Sequence, residues 1–239
     1  MAKQNVHTHR LPGGTAVYTA AAHTFGVDSL LLAAYSIPKQ GEKVCDLGTG
    51  CGIIPLKWYD MGWRGEVTGV EIAPGAAALF ADAIRDNGFD GMRSVQADLR
   101  RFGTAGYFDR VCMNPPYFKG GPSSPDPERD RARQETGCTL AEVVGAASRL
   151  LKNGGRFFLC YRPERIAELF YWMKDLGIEP KRLRPVRQRP ESPAPWLFLV
   201  QGKKGARPGL LWERELVMED GQGSPPPELL KIYGREERS

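Results

Sequence analysis

Cysteine and histidine are scarce in this chain, and the few present stand apart. Five cysteines (Cys45, Cys51, Cys112, Cys138, Cys160) and three histidines are spread over 239 residues, with no CxxC pair and no histidine partner at ligand spacing. That speaks against a zinc site and against a disulfide framework. Cys45, Cys112 and Cys160 sit in apolar runs and read as small core residues. His7 and His9 lack a third ligand, so no metal is expected, and their N-terminal arm reads as disordered. No apolar run approaches the roughly 18 residues of a membrane helix. The opening MAKQNVHTHRLPGG lacks the apolar stretch of a secretory signal. A cytoplasmic protein with no membrane partner is the expectation.

What the chain does have is core material: 41% of its residues are hydrophobic, enough for one large domain. The net charge is +5, compatible with a polyanionic partner without establishing one. Basic residues concentrate at Arg129, Arg131 and Arg133, at Lys181, Arg182, Arg184, Arg187 and Arg189, and at Lys203, Lys204 and Arg207. Each cluster reads equally as a solvated loop or a protected sheet edge.

Local signals alternate between strand and helix. Residues 25–36 read as a helix with Asp28 as N-cap. Strands are expected at 43–47, 67–72, 93–97, 108–113 and 156–161. Helices are expected at 53–61, at 74–87 between Pro74 and Gly88, at 139–151 behind a Thr139/Glu142 capping box, and at 163–176. Asn153-Gly154-Gly155 should end the helix at 139–151. The tail offers strands near 181–187 and 196–201 with no helix between them, hence an antiparallel pair. The pattern predicts an α/β fold: a Rossmann-like, doubly wound, mostly parallel seven-stranded sheet with an antiparallel last strand. Ligands of such sheets bind at the carboxyl ends of the strands. Residues 1–40 form an N-terminal arm and helix covering that site, 41–204 the main domain, and 205–239 a Pro/Gly-rich extension that wraps the domain or frays.

The strand ends carry the chemistry. The first runs into Asp46-Leu47-Gly48-Thr49-Gly50-Cys51-Gly52. Alternating glycines let backbone approach a ligand closely, although dinucleotide sites use similar loops. Asp46 would repel a pyrophosphate but suits a cationic, amino-acid-bearing ligand. Glu71 ends the second strand, roughly 20 residues past the glycine loop, where a carboxylate accepts ribose hydroxyls. Ala97-Asp98 ends the third, and that carboxylate suits an exocyclic amine. Asn114-Pro115-Pro116-Tyr117 ends the fourth, in a turn whose prolines refuse ladder hydrogen bonds and lock φ.

DLGTGCG, VE, AD and NPPY in this order resemble a class I S-adenosylmethionine-dependent methyltransferase of the amino-methylating branch. FGVDSLLLA, ARQETGCTLAEVV, GGRFFLCYRPERIAEL and IEPKRLRPV extend the likeness, over roughly residues 20–204, to the tRNA1(Val) adenine-N6 methyltransferase-like family. That family modifies adenosine 37 of a tRNA. The resemblance implies S-adenosylmethionine as cofactor. Asp46, Gly48, Gly50 and Gly52 would cradle its methionine and ribose, Glu71 its ribose hydroxyls, and Ile72 its adenine. Ala97 and Asp98 would meet the adenine amine, and Asn114 would also border the cofactor. Asn114, Pro115 and Tyr117 would be catalytic: the Asn114 oxygen and the Pro115 carbonyl hold the target amine while Tyr117 stacks on the base. Pro116, Phe118, Arg131 and Arg133 would meet the substrate, and the basic run 181–189 would reach phosphates.

Four readings compete at this point. Adenine N6 in structured RNA, foremost a tRNA anticodon loop, fits the basic clusters. Glutamine N5 of a release factor poses the same geometric problem, but only about 40 residues precede the first strand, too few for the helical domain such enzymes carry. Ribosomal RNA amino-methylating relatives share the four strand tips. A cofactor-binding scaffold without catalysis is the remaining class, and no vacant catalytic position favours it. A monomer is expected, since helices cover both sheet faces.

Overall fold

The computed structural model describes residues 6–115 and 138–234. The described part of the N-terminal arm, which carries His7 and His9, is ordered: β1 (His7–Arg10) and β2 (Ala16–Thr19) form an antiparallel hairpin. It is pinned to the body by Asn87, whose Oδ1 accepts from Ala16 N at 2.8 Å and whose Nδ2 donates to Ala16 O at 2.8 Å. Tyr18 adds a hydrogen bond to Asp86 at 2.9 Å. The sequence expectation of disorder fails here because β1 is exposed at every position, so no inside-outside alternation marks it.

Helix α1 (Val27–Tyr35) follows. Its N-cap is Gly26 rather than Asp28, and Asp28 instead accepts from the adjacent Ser29 N–H at 2.9 Å. Then come β3 (Val44–Leu47), α2 (Ile53–Asp60), β4 (Val67–Glu71), α3 (Pro74–Asn87), β5 (Met92–Gln96) and β6 (Phe108–Met113). After the undescribed stretch come α4 (Leu140–Leu150), β7 (Leu151–Tyr161), α5 (Ile166–Asp175), β8 (Ile178–Arg187) and β9 (Leu197–Lys204). Two short strands, β10 (Leu211–Trp212) and β11 (Leu216–Val217), and α6 (Pro227–Tyr233) complete the described residues. Pro74 starts α3, and Gly88 ends it in the left-handed region, the usual division of labour between these residues. The Thr139/Glu142 capping box on α4 is formed in both directions. Helix α4 nevertheless ends at Leu150, before Asn153-Gly154-Gly155, which lie inside β7. There β7 and β6 change register between Phe108 and Arg110, and the glycines absorb that irregularity.

The main sheet runs β10-β8-β9-β7-β6-β3-β4-β5, with β11 also paired to β8. The seven anticipated strands are β3 to β9. Only β9 is antiparallel, to β7 on one side and β8 on the other. The extension adds β10 and β11 in parallel along the outer edge of β8, so the segment expected to wrap or fray wraps.

Strands β3 and β4 are buried along their whole length, as strands covered on both faces must be. One core lies against α1, α2 and α3 and contains Leu31, Leu32, Leu56, Trp58 and Phe80. The other lies against α4 and α5 and contains Val143, Val144, Leu150, Leu169 and Met173. Each large side chain buried there contributes about 1.5–3 kcal/mol. Trp58 is fully buried because its Nε1 finds a partner, Ala33 O at 2.9 Å. Cys45, Cys112 and Cys160 are core residues, as their apolar contexts predict. Among the described residues no helix is long and apolar enough to cross a membrane.

Candidate active site

The loop from β3 to α2 turns on three glycines in the left-handed region: Gly48 (φ 60°), Gly50 (φ 56°) and Gly52 (φ 80°). They serve different ends. A Cβ on Gly52 would strike the Phe80 ring at 2.0–2.5 Å, whereas one on Gly50 would meet nothing within 4 Å. Gly52 is a packing requirement, and Gly50 leaves backbone open to an approaching ligand.

Asp46 is fully buried under this loop. Its Oδ2 accepts from Thr49 Oγ1 at 2.7 Å, and its Oδ1 has no partner among the described residues. Burial pushes the carboxyl up to about 7, with the Glu71 charge adding to the rise and the Thr49 hydrogen bond opposing it. An orphaned buried acceptor costs about 1–3 kcal/mol, and a cationic donor would satisfy it. Glu71, at the tip of β4, accepts from Gly50 N at 2.9 Å and from Ala73 N at 2.9 Å. It therefore clamps the glycine loop, a role its position in the sequence does not reveal. Ile72 follows it and is 40% exposed, an apolar side chain left open at a strand tip. The orphaned acid, the open glycine and this apolar platform are the features an aminoacyl nucleoside needs.

The tips of β4 and β5 are tied by Ala97 N donating to Glu71 O at 2.9 Å. Asp98, next along, is occupied. The Arg100 guanidinium grips it through Nε at 2.9 Å and Nη2 at 2.6 Å, and the Arg100 backbone N–H donates at 2.9 Å. Those bonds hold the Asp98 carboxyl below its ordinary value. Arg100 was not foreseen as part of the site, although a basic residue two positions after a strand-tip acid is a visible signal.

Asn114 stands at the tip of β6, half-buried, beside the glycine loop, because β6 and β3 pair Met113 with Leu47. Its Nδ2 donates to Ser29 Oγ on α1 at 2.8 Å, and its Oδ1 accepts from Cys160 Sγ on β7 at 2.9 Å. Neither partner was foreseen as a site residue. Pro115 is buried. Pro116, Tyr117, Phe118, Arg131 and Arg133 lie outside the described residues.

The basic run 181–189, on β8 and just past its end, meets acidic partners. Arg182 pairs with Glu213, Arg184 with Glu228 at 2.7 Å, Arg187 with Glu215 at 2.6 Å and Arg189 with Glu219 at 3.0 Å. The extension lays its glutamates along β8, so these arginines are already neutralised and would have to give up a carboxylate to reach a phosphate.

Known proteins share both fold and sequence with this chain. A predicted O-methyltransferase from Agrobacterium tumefaciens superposes with a TM-score of 0.71 at 22% identity, over 87% of this chain and 96% of that one. A T. thermophilus 16S rRNA N2 G1207 methyltransferase in complex with AdoMet and guanosine gives 0.55 at 21% identity, over 84% and 50%. The tRNA1(Val) (adenine(37)-N6)-methyltransferase of Porphyromonas gingivalis is 31% identical over 190 residues, 73% of this chain and 72% of the relative. The protein of that name from a Flavobacteriaceae bacterium is 30% identical over 133 residues, and the match spans 55% of this chain and 56% of the relative's length. The model of the methyltransferase small domain matches residues 14–169, a stretch that begins in the hairpin, takes in all four strand tips and ends within α5. The chain belongs to the methyltransferase small domain family.

Proposed function

We propose that this chain methylates the exocyclic N6 amine of an adenine in tRNA, at a position like adenosine 37 of tRNA1(Val), with S-adenosylmethionine as donor. The observation that carries the reading is the row of strand tips. Asp46 is next to last in β3, Glu71 ends β4, and Asp98 and Asn114 follow β5 and β6, four strands that are neighbours in register. Asp46, Gly48, Gly50 and Gly52 hold the methionine and ribose, Glu71 the ribose hydroxyls, Ile72 the adenine ring, and Ala97 with Asp98 the adenine amine. The orphaned Oδ1 of Asp46 and the open face at Gly50 support that assignment.

When bound, the cofactor supplies an electrophilic methyl group on a sulfonium. The chain's own work is orientation. An adenine amine is a poor nucleophile, because its lone pair is delocalised into the ring. Asn114 Oδ1 and the Pro115 carbonyl accept its two hydrogens and aim the lone pair, so that proximity and fixed dipoles lower the barrier. No strong general base is needed, since the alkylated nitrogen gives up its proton readily. Tyr117 stacks on the extruded base, Pro116 and Phe118 shape its pocket, and Arg131 and Arg133 meet phosphate. Residues 1–40 cover the site, a view supported by the reach of Ser29 to Asn114. The enzyme acts as a monomer in the cytoplasm on the anticodon loop, where a base is extruded without melting a duplex.

The test is methyl transfer from labelled S-adenosylmethionine to total tRNA, with release factor and ribosomal RNA offered in parallel, followed by nucleoside mass spectrometry. N6-methyladenosine in tRNA is expected. Label on the release factor, or on ribosomal RNA alone, refutes the adenine-in-tRNA reading.

A further inference from the structure

A carboxamide has two ends of nearly the same shape and opposite hydrogen-bond sense. Only its partners decide which end faces a substrate. If Asn114 presented its NH2 to an incoming amine, donor would meet donor. In the structure both ends are held. Cys160, fully buried on β7, lies 2.9 Å from Oδ1, and Ser29, buried on α1, lies 2.8 Å from Nδ2. Neither partner alone dictates which end it meets, because a hydroxyl gives or takes a hydrogen bond and a thiol is a weak donor and a weak acceptor. Together they hold the carboxamide plane from both ends. Oδ1 has two lone pairs, so a bond from Cys160 leaves the second for a target N–H.

Resting on the proposed role of Asn114, we infer that Cys160 and Ser29 are positioning residues that fix the Asn114 carboxamide with its oxygen available to the target amine. Cys160 gives to Oδ1 and Ser29 takes from Nδ2, so the pair stops the carboxamide from rotating about its last bond. The N-terminal segment is thereby part of the catalytic arrangement through α1, although it touches no reacting atom. Mere core filling would ask only for a small side chain at 160 and would not place a donor on Oδ1.

The test compares Cys160→Ala, Cys160→Ser and Ser29→Ala in the full chain. Cys160→Ala should lower kcat about tenfold, the scale of one lost hydrogen bond, with the KM for cofactor unchanged. Cys160→Ser keeps a donor and should recover to within about threefold of the parent. A second readout needs no substrate: the side-chain NH2 resonances of Asn114 should shift in Cys160→Ala and Ser29→Ala and return in Cys160→Ser. Full kcat in Cys160→Ala, equal losses in the alanine and serine variants, or unmoved Asn114 resonances would overturn the inference. Should Cys160→Ala fail to fold, Ser29→Ala carries both readouts. Parent protein that makes no N6-methyladenosine, yet shows the resonance shifts, would remove the adenine reading and leave the carboxamide assignment standing.

Discussion

Placing a methyl group on Gly52 asks it to share space with the Phe80 ring. The added Cβ would lie 2.0–2.5 Å from three ring carbons, at a φ of 80°. Two costs add. A left-handed alanine costs about 1–2 kcal/mol, and overpacking a filled core costs about 1–3 kcal/mol. Gly52→Ala should therefore lose about 2–5 kcal/mol, a large share of the roughly 5–15 kcal/mol that a domain has in all. Gly50→Ala is the matched control: same loop, φ 56°, and nothing within 4 Å of the new Cβ. It should lose only the conformational part, about 1–2 kcal/mol, and weaken S-adenosylmethionine by at least about tenfold, since the methyl enters the space assigned to the ligand. Urea unfolding read by circular dichroism measures the first quantity, and titration calorimetry the second. Equal stability losses would mean that the Phe80 contact does not govern Gly52. Unchanged affinity in Gly50→Ala would mean that the cofactor does not approach the loop there.

Asp46→Asn removes a buried acid whose folded pKa, about 7, lies above its ordinary 3.8. The folded state binds this proton more tightly than the unfolded one, so the native carboxyl costs stability as pH rises between those values. The variant should gain relative to the parent across that window, with no gain below it, and should lose cofactor binding; equal pH profiles in urea would contradict the assignment. Arg100→Ala frees the Asp98 carboxylate, and because the pair is exposed and screened its loss should change stability little. Cofactor affinity should rise, by no more than about fivefold, and a fall measured by calorimetry would show that Arg100 itself holds the ligand.

The alternation of strand and helix, the proline and glycine bounds of α3 and the α4 capping box were legible because each is a local pattern. The four strand tips were legible for the same reason: a motif that ends a strand declares its own position. What stayed hidden depends on residues brought together across the chain. Ser29 and Cys160 lie 85 and 46 positions from Asn114, and nothing near either marks it as more than a helix or core residue. The glutamate partners of the β8 arginines lie 28–44 residues downstream, in a stretch whose prolines and glycines suggested a loose tail. The hairpin was missed because an exposed four-residue strand leaves no periodicity. Asn153-Gly154-Gly155 misled because the turn signal was real but belongs to a register change inside a strand.

The two short strands of the extension have a consequence for solubility. Strand β8 is ten residues long, and without β10 and β11 its outer side would be a row of unpaired backbone donors and acceptors, the kind of edge on which a second chain adds. Two strands of two residues each cover parts of that edge while being too short to offer a continuous template themselves. The tail, expected from sequence to wrap the domain or fray, covers parts of a sheet edge that would otherwise be open to strand addition.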